Sequence, residues 1–143
     1  NEGDFICASE KISSEIINFM SKEGRGLICC SLEDKRCDQL GLELMVGKNT
    51  DVSHGSSIIG PAIIGKNCKI GRNVRLGPYV SIGDNCTLEN CNIENSIIMQ
   101  NCKIDAKEVN LSSSIISHSS QIDGGIILKK SGFLLGERTH LKI

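Results

Sequence analysis

The sequence predicts a β-class fold, a parallel β-helix of about four or five stacked triangular coils preceded by a small α/β segment. Three observations predict it. Ile64, Ile70, Leu76, Ile82 and Leu88 recur every six residues over 24 positions, a period that fits neither an α-helix nor an ordinary strand. Gly65, Gly71, Gly77 and Gly83 follow four of these aliphatics, and the small residues Cys68, Val74, Val80 and Cys86 stand four positions after them. Residues 1–50 lack this rhythm and read as ordinary α/β sequence.

Phe5-Ile6-Cys7-Ala8 is a short strand candidate. Ser13 to Met20 has the cap residues and apolar spacing of a helix start, which Gly24-Arg25-Gly26 then breaks. Leu27-Ile28-Cys29-Cys30 reads as a buried strand, and Leu32 to Leu40 as a second short helix capped by Ser31 and stopped at Gly41. Fifty residues of this kind form a weak core alone. Residues 51–57 are a junction, and the hexads organise 58–143.

Three hexads close one coil of 18 residues. Coils stack about 4.8 Å apart, so each strand hydrogen-bonds to the coil above and the coil below. The large aliphatics point inward and the small residues fill the second inward position of each hexad. Glycines stand where the backbone bends sharply or packs closely. After Leu88 the next aliphatics are Ile93, Ile98 and Ile104, so one or more corners are tightened or bulged. Asn90, Asn92, Asn95, Asn101 and Asn110 are candidate turn formers, since Asn tolerates left-handed backbone angles. Ser112 to Ile122 resumes an alternating pattern, and the apolar tail Gly132 to Gly136 suits the open end that a solenoid must cover.

Sixteen basic and 17 acidic side chains give a net charge of −1 with no dense basic run, which argues against a nucleic-acid partner. No apolar run approaches the roughly 20 residues of a membrane span. The eight cysteines show neither a CxxC pair nor metal-ligand spacing, and no signal peptide is read before them. Reduced thiols and a cytoplasmic location are therefore expected, with bridging and metal binding as alternatives.

The segments Ser57-Ile58-Ile59-Gly60-Pro61 and Ile63-Ile64-Gly65-Lys66-Asn67-Cys68 lead into Leu76-Gly77-Pro78-Tyr79-Val80-Ser81-Ile82-Gly83-Asp84-Asn85-Cys86. Glu94-Asn95-Ser96-Ile97-Ile98-Met99 and the tail Leu134-Leu135-Gly136-Glu137-Arg138-Thr139 follow. This half resembles the left-handed parallel β-helix domain at the C-terminus of long-form sugar-1-phosphate nucleotidyltransferases, the glucose-1-phosphate thymidylyltransferase type. Acyltransferases and carbonic anhydrase-like proteins share the hexapeptide repeat, but the tail and Gly77-Pro78-Tyr79 favour the nucleotidyltransferase appendage. The resemblance implies left-handed winding and a homo-oligomer built through coil faces. In that family nucleotide and sugar phosphate bind a Rossmann-like domain with a Gly-rich loop. Neither is found in this sequence, so nucleotidyl transfer is not expected of it.

The first half carries Asn1-Glu2-Gly3-Asp4-Phe5-Ile6, Asn18-Phe19-Met20 and Gly24-Arg25-Gly26-Leu27-Ile28-Cys29, then Glu33-Asp34-Lys35-Arg36-Cys37 and Leu42-Glu43-Leu44-Met45-Val46. These motifs resemble 3,4-dihydroxy-2-butanone 4-phosphate synthase of riboflavin biosynthesis. The resemblance implies magnesium-dependent conversion of ribulose 5-phosphate to the four-carbon phosphate plus formate. Glu2 and Asp4 would represent its acidic metal-binding loop and Cys29 its active-site cysteine. The sequence starts after that loop's arginine and metal-binding glutamate. It leaves the pattern near Thr50, before the histidine that supplies the other metal contact. A complete site is not expected, and the chain reads as a fusion, a fragment or a composite.

Each candidate site residue has a plain structural alternative. Glu2 and Asp4 suit a hard cation but are also what a solvated terminus looks like. Cys29 is a reactive thiol or a buried inert one. Lys35-Arg36 is a solvated helix face. An acyltransferase reading needs a histidine general base, and of His54, His118 and His140 the best placed is His118, in Ser117-His118-Ser119-Ser120 on a coil face. Lys66, Lys69, Arg72 and Arg75 read as a basic strip on stacked hexads, fit for a sugar phosphate or for an acidic patch such as Glu89, Glu94 and Asp105 on another subunit. The expected function is a structural or oligomerising β-helix module. The alternatives are the synthase in fragmentary form and a hexapeptide-repeat acyltransferase. No cofactor is expected beyond the magnesium that a working synthase segment would need.

Overall fold

The computed structural model describes the backbone of residues 5–8, 11–12, 27–30 and 43–143, with side chains from Leu44 onward. Residues 44–142 wind as a left-handed parallel β-solenoid of about six turns. The first face stacks Glu43–Val46, Ala62–Ile64, Val80–Ile82, Ser96–Ile98, Ile115–Ile116 and Leu134–Leu135, each strand parallel to the next. The second stacks Asp51–Val52, Lys69–Ile70, the starts of Thr87–Glu94 and Lys103–Ser112, then Gln121–Asp123 and His140–Lys142. Ser57–Ile59, Arg75–Leu76, the ends of the two long strands, and Ile126–Ser131 make the third.

The hexads produce this shape because a strand of two or three residues buries its last aliphatic, turns, and repeats. Val46, Ile64 and Ile82 are in register on the first face, Val52, Ile70 and Leu88 on the second, Ile58, Leu76 and Ile93 on the third. All nine are buried and form one aliphatic column. Stacking like residue on like removes apolar surface from water without any aromatic core. The stack is longer than the four or five coils expected from sequence. Its ends use Val46 and Val52 at one side and Phe133, Leu135 and Leu141 at the other, outside the strict hexad run. Leu134–Leu135 lies on Ile115–Ile116 as one more strand.

Corners explain the asparagines. Asn49, Asn67, Asn85, Asn101, Ser119 and Arg138 all have φ between 56° and 63° where the first face passes to the second. Each of the last five donates its backbone N–H to a carbonyl of the coil before, as in Asn67 to Lys48 at 3.0 Å and Asn85 to Lys66 at 2.8 Å. Asn95 and Asn101 are turn residues as expected and Asn90, at φ 52°, makes the bulge within Thr87–Glu94, whereas Asn92 and Asn110 are regular strand residues in register with each other. The loosened rhythm after Leu88 corresponds to a register shift between Glu89 and Cys91, and another falls between Val109 and Leu111. Two glycines are demanded by close coil approach. A Cβ on Gly83 would sit 2.5 Å from the Gln100 nitrogen, and Gly77, at φ +98°, lies against the Ile59 carbonyl.

The strands expected at Phe5–Ala8 and Leu27–Cys30 are present and pair in parallel. Leu27–Cys30 then pairs antiparallel with Glu43–Val46, which extends the first face beyond the coils. Lys11–Ile12 pairs antiparallel with Ser57–Ile59 on the third. The helices expected at 13–20 and 32–40 lie outside the described residues.

Candidate functional site

The interior offers little chemistry. Cys68, Cys86 and Cys102 follow the corner residues of successive coils, are buried, and are free thiols. Their Sγ atoms lie 3.1 Å from the carbonyls of Gly83, Met99 and Ser117, to which the thiols donate. Thr50 and Ser120 occupy the same column and donate in the same way, to Gly65 and Gly136. The column is therefore a set of small hydrogen-bonding residues closing a corner, as the spacing of Cys68 and Cys86 predicted. Contact with Cys102, then with Cys68, and burial hold the Cys86 thiol protonated. The same contact with Cys86 lowers Cys68 and Cys102 to about 7, against the effect of burial, so the thiols of the column act on one another although all of them are shielded from solvent. Burial, with the Glu89 charge adding to it, pushes Cys91 up to about 12.

The outer surfaces of the described coils differ from face to face. Outward positions of the first face are Met45, Ile63, Ser81, Ile97, Ile115 and Leu134, in register and without a charge. Ile63 is 54% exposed, Ile97 44% and Leu134 79%. An open groove of about 590 Å³ runs beside this row, bordered by Pro61, Tyr79, Asn95 and Ser113. The second face presents Asp51, Lys69, Thr87, Lys103, Gln121 and His140. The third presents Ser57, Arg75, Asn92 and Asn110.

The basic strip read from Lys66, Lys69, Arg72 and Arg75 is dispersed. Lys69 lies on the second face between Asp51 and Thr87, and Arg75 on the third between Ser57 and Asn92, because six residues advance the chain by one face and only a full coil restacks it. Glu94 is engaged within the chain, 3.0 Å from Lys130 Nζ. Arg75 acquires different neighbours instead. It borders a hollow of about 400 Å³ with Asn73, Asn90, Asn92, Lys107 and Glu108, and a smaller one of about 100 Å³ with Asn92, Glu94, Asn110 and Lys130. Asn73 and Lys107 were not singled out in the sequence. The signal that finds them is the 17-residue spacing of Asn73, Asn90 and Lys107.

His118 sits at an exposed corner, with Nδ1 3.4 Å from Ser119 Oγ and Nε2 3.6 Å from Glu137 Oε2. His140 is on the second face, its Nε2 2.7 Å from Asp123 Oδ2. That hydrogen bond holds the Asp123 carboxyl below the usual carboxylate range, helped by the Lys142 charge and by Gln121, whose Nε2 donates to Oδ2 at 3.0 Å. His54 adjoins Gly55 at the corner between the second and third faces. The structure brings none of these histidines together. Cys29 lies in Leu27–Cys30 with its side chain outside the described set, and Glu2 and Asp4 lie outside the described residues. Among the described residues no three His, Cys, Asp or Glu side chains gather to hold a metal ion, and no helix is long and apolar enough to cross a membrane.

Comparison with known proteins divides the chain in two. A family model described as GMPPB C-terminal domain matches residues 58–142, and one described as 3,4-dihydroxy-2-butanone 4-phosphate synthase matches residues 1–63. The synthase pattern thus runs past Thr50 and overlaps the first hexads. Curated relatives match the first part. The riboflavin biosynthesis protein RibBA of Cytophaga hutchinsonii is 52% identical over 71 residues, which are 50% of this chain and 18% of that protein. RibBA of Aquifex aeolicus is 59% identical over 51 residues, 36% of this chain and 13% of its own. The 3,4-dihydroxy-2-butanone 4-phosphate synthase of Photobacterium phosphoreum is 59% identical over 51 residues, 36% of this chain and 14% of its own. The chain spans less than a fifth of the length of each of these relatives.

Proposed function

Because the chain belongs, through residues 58–142, to the GMPPB C-terminal domain family, we propose that its β-helix is an assembly module joining two copies of the chain along the first face. The observation that carries this reading is the uncharged row from Met45 to Leu134, in register over the height of the stack. A second copy suits it because a row with no charge meets its own image without like-charge repulsion, whereas the second face would set Lys69 and Lys103 against themselves. Half-exposed Ile and Met side chains gain by leaving water. The buried free thiols suit a reducing, cytoplasmic setting. Light scattering on the purified chain tests the reading: a dimer that Ile97→Asp and Ile115→Asp convert to a folded monomer supports it, and a monomeric parent chain refutes it.

The identity of the first part to RibBA proteins favours a second reading, that the chain carries synthase chemistry in its first half. Glu2 and Asp4 would then help hold magnesium, which would polarise the sugar phosphate, and Cys29 would line the site. Formate release from ribulose 5-phosphate by the full chain with magnesium, lost in Cys29→Ser, is the expected result. Turnover no higher than the blank would end this reading and leave the assembly role untouched.

A further inference from the structure

The third face carries an arrangement that neither assembly nor synthase chemistry uses. Asn110 Nδ2 donates to the carbonyls of Ile127 at 2.9 Å and Leu128 at 3.1 Å, which turns its Oδ1 back to receive Asn92 Nδ2 at 2.8 Å. The parallel row at the corner is set the same way. Asn90 Nδ2 donates to the Ala106 carbonyl at 3.2 Å, and its Oδ1 receives Asn73 Nδ2 at 3.0 Å. Backbone carbonyls only accept, so both amide rows have a fixed polarity. Each row begins at a residue that borders the hollow of about 400 Å³, Asn92 and Asn73, with Nδ2 engaged by the next coil and Oδ1 the other polar atom of the amide.

Two cations face the same hollow, Arg75 and Lys107, against one carboxylate, Glu108. Arg75 also borders the hollow of about 100 Å³ on its other side. A guanidinium presents five donors in a planar fork that matches phosphate oxygens two at a time. Oriented amide oxygens accept from hydroxyl groups. We propose that this groove on the third face binds a small polyhydroxylated phosphate ester, with the phosphate on Arg75 and Lys107 and the hydroxyls on the oxygens of Asn92 and Asn73. The combined space suits a molecule of sugar-phosphate size. The groove faces away from the uncharged row, so binding and assembly are separate properties.

Calorimetry on the full chain with glucose 1-phosphate, glucose and inorganic phosphate tests the site. Glucose 1-phosphate is expected to bind more tightly than either of the others. Arg75→Ala should weaken it by about 10- to 100-fold, the range for loss of a charge-assisted bidentate contact. Asn92→Ala should weaken glucose 1-phosphate while leaving inorganic phosphate unchanged, and Lys103→Ala on the second face should change neither. Circular dichroism melts of each variant separate lost binding from lost folding. Absence of heat with all three compounds up to about 10 mM, or an unchanged affinity in folded Arg75→Ala, overturns the proposal.

Discussion

The first and third faces of the coil stack are built on the same inner grammar and present opposite outer surfaces. Inside, Ile82 and Leu76 are both buried in one aliphatic column. Outside, the first face shows Met45, Ile63, Ile97, Ile115 and Leu134, while the third shows Arg75 among oriented asparagines. The inner positions are bound by packing, because each must match the residue one coil above and one coil below. Outer positions such as Ile63 and Ile97 are half exposed and meet no such demand. What they carry is therefore the part of the sequence that speaks to function.

The sharpest break of that comparison exchanges one residue for its neighbour. Ile98 is buried and Ile97 is 44% exposed on the same strand. Ile98→Asp places an unpaired carboxylate in the aliphatic column and should cost more than about 4 kcal/mol, enough to prevent folding. Ile97→Asp should leave the stability of the monomer within about 0.5 kcal/mol and abolish assembly alone. Denaturant melts of the two variants decide it, and similar losses in both would mean that the outer row is structural.

A smaller effect separates the interior from solvent by pH. Cys91 is 1% exposed and its folded pKa is pushed up to about 12, so the folded chain keeps a proton that the unfolded chain releases near pH 9. Its contribution is fully present below that pH and is lost as pH rises through the folded value, on the order of 4 kcal/mol in all. Urea melts between pH 8 and pH 11 should show falling stability, with a shallower fall in Cys91→Ala; equal slopes would remove Cys91 from the account.

The smallest effect belongs to the exposed pair of His140 and Asp123. The carboxyl is held below its ordinary range, so its contribution is present above the unfolded value and disappears as pH falls through the lower, folded one. Solvent and salt screen a pair so exposed. His140→Ala should bring the Asp123 carboxyl back toward its ordinary titration by NMR with little change in melting temperature. An unchanged titration would mean that Gln121 and Lys142 set it.

The coil architecture was legible because Ile64 to Leu88 repeat without a gap. The stacking of Cys68 on Cys86 at one inner corner followed from the 18 residues between them. The number of coils was less legible, because Val46 and Val52 lead the stack from within sequence that also fits the synthase pattern. Asn92 and Asn110 looked like turn formers by residue type, and only the register shift after Glu89 moves them into strands. For the groove, Arg75 was visible but its partners were not. Lys66, Lys69 and Arg72 are near it in sequence, whereas Asn92 and Lys107 come to it from later coils.

The ladder that joins Leu27–Cys30 to Glu43–Val46, and Lys11–Ile12 to Ser57–Ile59, bears on how the two matched segments share a body. The two family matches overlap at 58–63, and this stretch holds the end of the strand that meets Lys11–Ile12 on one edge and Arg75–Leu76 on the other. Among the described residues the two segments meet through backbone ladders. Force applied to the described strands of the first part is carried directly into the coils, and these strands should melt with the coils as one cooperative unit.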